Sequence, residues 1–208
     1  MVQPLPYLKE SPSQTAGPYI HIGTNPNWVE ITGVWEDDLG LVLVGPDTKG
    51  ERILIEGRVL DGNGAPVRDA LIEIWQADAG GLYNSPSETR GPADPAFSGW
   101  GRQPLSGEDG SYRFETIRPG PVPWPDGRPQ APHVTVWLVA RGINTGLHTR
   151  AYFSDEEAAN LGDPLLARID DPARRATLVA KRSERDGVAV FTFDIRLQGD
   201  GETVFLDM

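Results

Sequence analysis

The imidazoles of this chain are His21, His133 and His148, and any metal chemistry has to start from them. An iron site of two histidines and one carboxylate needs an acidic residue two positions after a histidine, plus a distant second histidine. Two positions after His133 stands Thr135, so that spacing fails. A single imidazole at the mouth of an apolar strand serves equally as a hydrogen-bonded structural residue. The chain has no cysteine, which removes disulfides, thiolate zinc sites and cysteine nucleophiles. No H-E-x-x-H, G-x-S-x-G, Walker loop or G-x-G-x-x-G occurs. Asp61-Gly62-Asn63-Gly64 has the look of a calcium loop, but the rest of that pattern is missing and the residues suit a turn. Arg141 ends an apolar run and could offer a bidentate fork to a carboxylate, or serve as a solvated cap or an intrachain ion-pair partner. Thr15, in SQTAGPY, offers a hydroxyl beside a Gly-Pro turn. The residues alone hold no complete catalytic set. They leave open a binding or structural subunit, or an enzyme whose site another chain completes.

The elements that must position these residues read as strands. RILIEGRVL (52–60) and PVRDALIEIWQAD (66–78) flank the Asp61–Gly64 turn and read as a hairpin. SYRFETI (111–117) alternates Tyr112, Phe114 and Thr116 against Arg113 and Glu115. HVTVWLVA (133–140) is nearly all apolar, VAVFTFDIRL (188–197) alternates, and TVFLD (203–207) closes the chain. Residues 79–111 and 119–132 read as loop. Ser154 with Glu157 reads as a capping box for a short helix to about Leu161, and Asp171-Pro172 as a second helix start. The expected fold is all-β, an antiparallel β-sandwich with small helical insertions. Residues 1–50, rich in Pro, Gly and Asn, read as an arm that docks on a partner, and 51–208 as the sandwich domain.

The 208 residues suit one domain with appendages. A formal charge of −11 argues against nucleic acid or an anionic membrane as partner. With no long apolar run and no signal-peptide core at the start, the expectation is a cytoplasmic protein.

Five segments carry a resemblance. SPSQTAGPYIHI (11–22), GRVLDGNGAPVRDALIEIWQAD (57–78), DGSYRFETIRPGP (109–121), APHVTVWLVARGINTGLHTRAYF (131–153) and RLQGDGETVFLD (196–207) resemble, in this order, the intradiol ring-cleavage dioxygenases. The likeness runs from about Leu5 to Met208. SPSQTAGPY, ARGIN and QGDGETVF resemble the α-type chain of members built from two kinds of subunit. The family's iron is held by two Tyr and two His. Matched by motif, those slots fall on Thr89, Val122, His133 and Thr135, so only one slot keeps its ligand. Tyr83 is near in sequence, but the motif does not place it in a slot.

The resemblance therefore implies a vestigial site here and a hetero-oligomer of α/β pairs. Fe(III) would be held by a partner β subunit as a Lewis acid and template. The pocket would lie between the subunits, with Thr15, Gly17, Pro18 and Arg141 of this chain lining it and Tyr19 more remote. The implied activity is intradiol, O2-dependent cleavage of a carboxylated catechol, protocatechuate, to 3-carboxy-cis,cis-muconate in aromatic catabolism (the β-ketoadipate pathway). The alternatives are a catechol 1,2-dioxygenase, whose own ligands and helical dimerisation segment are missing, and a transthyretin-like binding module.

Overall fold

A computed structural model describes residues 15–17, 19–105, 109–144 and 146–207. The first half of the sandwich is built around β1 (Arg52–Leu60). β4 (Ser111–Ile117) runs antiparallel along one edge, with Ile55 opposite Phe114. Its expected alternation holds: Tyr112, Phe114 and Thr116 are buried while Arg113 and Glu115 face solvent. β10 (Val188–Thr192) lies on the other edge of β1, and β9 (Val179–Arg185) pairs with β10. β11 (Ile195–Arg196) continues beside the end of β1.

The second half is β3 (Trp100–Pro104), β2 (Leu71–Trp75), β7 (His133–Val139) and β8 (Leu147–Phe153), in that order across the sheet. A short β8·β9 pairing, Tyr152 opposite Val179 and Phe153 opposite Ala180, joins the halves into one folded-over sheet. Ile53, Ile55, Phe114 and Phe191 from one half meet Ile72, Ile74, Val136, Leu138 and Phe153 from the other in one core. The two-residue strands β5 (Val122–Pro123) and β6 (Pro129–Gln130) make a small hairpin inside the Pro-rich loop.

The all-β sandwich is as expected, but the sheet is mixed. β1 runs parallel to β10 and β11, and β8 runs parallel to β9. The expected hairpin closes only at its tip, through the antiparallel Leu60–Pro66 bridge and a bond from Val67 N to Val59 O at 2.9 Å, and β2 itself does not pair with β1. The Asp61 turn forms, with its Oδ1 accepting from the amides of Asn63 and Ala65 at 2.8 Å each. Beyond it the chain crosses to the other half, because β4 and β10 already occupy both edges of β1. Strands β3, β8 and β9 carry polar, Gly-containing or charged sequences and were not expected from pattern alone. TVFLD forms only a bridge, Leu206 to His148, instead of a strand.

The helix α1 (Ile20–Thr24) lies within the arm, while α2 (Glu157–Gly162) and α3 (Pro172–Ala176) flank the sandwich. Asp171 caps α3 as expected, through Ala173 N at 2.8 Å. Ser154 does not cap α2: its hydroxyl accepts from Arg182 N at 3.0 Å in β9, and Glu156 takes the cap position. The arm merges with the sandwich before residue 50. Leu43 is 2 % exposed in the main core, and Val44 bridges Phe97. Residues 1–14 and Pro18 lie outside the described residues. No helix among the described residues is long and apolar enough to cross a membrane.

Candidate functional site

Two places hold the residues singled out above. The first is where the arm meets the turn after β7. Gly142 N donates to the Thr15 hydroxyl at 3.1 Å, a contact across 127 positions of sequence. Gly142 has a φ of +87°, which lets the chain turn sharply after Arg141. The Arg141 Nε stands 2.8 Å from Asp69 Oδ2, yet that carboxylate oxygen has no well-aligned hydrogen bond. The pair is thus a close but poorly oriented ion pair, and the Arg141 side chain stays 67 % exposed. Asp69 is therefore an anchor for the guanidinium that the residue types did not reveal. It also faces His21, which is buried against Trp28 at 4.8 Å between ring centres. Burial lowers the His21 pKa, and Asp69 opposes that shift. A side chain at Gly17 would meet nothing within 4 Å, so the backbone there faces open space. Tyr19 is 76 % exposed. Thr15 and Arg141 thus come together, with Gly17 two residues away in sequence, while Pro18 lies outside the described residues.

The second place gathers the positions that the resemblance gives to metal ligands. Thr89 and Val122 line a cavity of about 400 Å³ with Trp75, Tyr83, Arg90 and Gln130. Thr135 lines a neighbouring cavity of about 350 Å³ that shares Trp75. His133 is 4 % exposed, and its Nδ1 lies 2.7 Å from Ala131 O. Burial, then the charge of Arg150, pushes its pKa down to about 4. The Trp75 and Tyr83 rings stack at 5.9 Å and 6°. Burial raises the Tyr83 pKa.

Arg150 was missed at the sequence level because β8 was not recognised as a strand. It sits opposite Thr135 on β8, and its NH1 donates to Gln130 Oε1 at 2.7 Å and to the Tyr152 hydroxyl at 3.4 Å. Ferric iron asks for anionic oxygen donors and several imidazoles. These four slots offer two alcohols, one alkyl side chain and one imidazole, with a guanidinium beside them. The residues do not fit the metal, and among the described residues no group of three His, Cys, Asp or Glu side chains could hold one.

The chain is similar to known proteins over nearly its whole length. A family profile described as Dioxygenase matches residues 24–199. The protocatechuate 3,4-dioxygenase alpha chain of Pseudomonas putida is 47 % identical over 206 residues, covering 98 % of this chain and 99 % of that one. The beta chain of the same-named enzyme in Burkholderia cepacia is 38 % identical over 169 residues, 74 % of this chain and 67 % of that one. The structure of 3-chlorocatechol 1,2-dioxygenase from Rhodococcus opacus 1CP shares the fold, with a TM-score of 0.58 and 23 % identity over 74 % of this chain and 63 % of that one. Extent, identity and fold agree with the sandwich just described, and the chain belongs to the intradiol ring-cleavage dioxygenase family.

Proposed function

We propose that this chain is the α subunit of a protocatechuate 3,4-dioxygenase, paired with a β subunit that holds Fe(III). The pair opens the ring of protocatechuate between its two hydroxyls, giving 3-carboxy-cis,cis-muconate. The observation that carries this reading is the 47 % identity, over 98 % of this chain, to a protocatechuate 3,4-dioxygenase alpha chain, and Thr89, Val122 and Thr135 at the positions the resemblance gives to iron ligands support it. Ring-opening chemistry then belongs to the partner's iron, and the task of this chain is to bind and orient.

Thr15, Gly17, Pro18 and Arg141 serve that task at the arm. Arg141 presents its exposed tip to the substrate carboxylate while Asp69 steadies Nε. A charge-assisted hydrogen bond of this kind contributes about 1.5 kcal/mol, the low end of the usual range because the side chain is well exposed. The same arm suits a partner chain. Trp28, Val34, Trp35, Leu39, Leu41 and Val42 are all exposed in one stretch of the sequence, Val42 by 74 %, a concentration of apolar side chains that favours an interaction segment.

The test is co-expression with a β-type chain. The purified pair is expected to carry one Fe(III) per α/β pair and to take up dioxygen with protocatechuate, while this chain alone carries no stoichiometric iron. Tight ferric iron with a visible tyrosinate band on this chain alone would overturn the reading.

A further inference from the structure

Far along the chain from the arm, Leu161 stands 81 % exposed. A single leucine in solvent needs no explanation by itself. This one, however, forms the rim of an apolar groove of about 420 Å³ between α2 and α3. From α2 come Glu157 and Leu161, four residues apart and so on one face of the helix. From α3 come Pro172, Arg175 and Ala176, whose spacing also puts them on one face. Leu166 and Val179 add apolar wall. Because Leu161 is so exposed, it edges the hollow without filling it. A leucine knob and a hollow that suits a leucine are thus neighbours on one surface.

The charges are divided in the same way. Glu157 lies on the α2 bank, exposed and with no ion pair among the described residues. Arg175 lies on the α3 bank, where its Nε and NH2 donate to Ile169 O at 3.1 and 2.7 Å. That double bond to one carbonyl fixes the guanidinium. It leaves the other terminal nitrogen without a hydrogen bond among the described residues. A surface with knob beside hollow and acid beside base is complementary to itself. A two-fold axis that lays α2 of each copy over α3 of the other seats both leucines and sets each Glu157 against an Arg175. One set of residues then supplies both halves of the contact, which is the signature of an isologous interface.

We propose that this groove is a two-fold contact between two copies of this chain, with Leu161 of each seated between α2 and α3 of the other. Helices of 6 and 5 residues are short beside a standard interface of about 800 Å² per partner, so the dimer is weak and reversible. The contact uses no residue of the arm and needs no metal, so it stands independently of the subunit reading above.

Sedimentation velocity of the full-length chain tests the contact. The charge of −11 makes copies repel at long range, so the runs are made at about 0.15 M salt, where screening limits that repulsion to about 8 Å. A monomer–dimer equilibrium is expected, with a Kd between about 1 μM and 1 mM. Leu161→Asn should raise that Kd about tenfold or more. The side chain is exposed, so circular dichroism should stay that of the parent. Glu157→Lys should also weaken the dimer, by setting like charges face to face, while Val42→Asp in the arm should leave it unchanged. A chain that stays monomeric at about 1 mM would overturn the proposal. So would a dimer that survives Leu161→Asn, or one that Val42→Asp dissolves. If Leu161→Asn instead releases a β-type chain from the co-expressed pair, the groove is that chain's seat and the proposal fails. Iron content and dioxygen uptake of the pair test the subunit reading separately, so the two failures are distinguishable.

Discussion

At the scale of single residues, the Arg141 guanidinium is exposed and the His133 imidazole is buried. Arg141 has its Nε close to Asp69, in a poorly oriented ion pair, and is otherwise open to solvent. If it meets the substrate carboxylate, Arg141→Ala should raise the protocatechuate KM of the α/β pair by about tenfold, with kcat and iron content nearly intact. An unchanged KM would reduce Arg141 to a structural cap. His133 gives a pH dependence of stability. Its imidazole is held near pKa 4 in the native state against 6.5 unfolded. Between those values the unfolded chain binds a proton that the native chain refuses. Stability therefore falls as pH drops from 6.5 towards 4, by up to about 3 kcal/mol. Urea denaturation at pH 7 and pH 4.5 measures this, and His133→Gln should flatten that part of the profile. An equal fall in the variant would assign the effect to other groups.

At the scale of elements, the close approaches between strands carry the specificity. Gly57 in β1 lies under the chain leaving β10: a Cβ there would stand 2.0 Å from Phe193 O. The contact is to backbone, so neither side can yield by a rotamer change. Gly57→Ala is expected to cost about 3 kcal/mol or more, seen as a lower urea midpoint at unchanged m-value. A loss under 1 kcal/mol would mean that β1 and the Phe193 segment can slide apart. The strands found by pattern, such as β4 and β7, are those whose burial alternates or runs apolar. β9 was invisible because five of its seven residues are exposed and polar or charged. It is a strand only because β10 and the end of β8 present edges to it.

At the scale of the whole molecule, the exposed apolar side chains concentrate in one stretch, from Tyr19 to Val42, with Leu161 an outlier among the described residues. Acidic substitution of its most exposed member there after Tyr19, Val42→Asp, should leave the sandwich folded, since Val42 is 74 % exposed. It should weaken co-purification with a β-type chain by at least about tenfold, because a charge would be buried at the interface. Size-exclusion chromatography of the co-expressed pair reads this directly, and an intact pair would place the interface elsewhere.

Residue order by itself determined the all-β class, the inward face of β4, the apolar run of β7 and the Asp171 cap. Each of these follows from local periodicity, local hydrogen bonding or residue type, which need no knowledge of distant chain. The tertiary structure alone decided that β1 and β2 part company, that three strand pairings are parallel, and that Thr15 meets Gly142. It also decided that Arg150 stands opposite Thr135 and bonds Gln130, a residue whose strand had no readable pattern. These outcomes depend on which edges remain free once other strands have paired, and on contacts between residues far apart in sequence. No local pattern encodes that competition, so the polar residues at such contacts become visible only in the folded chain.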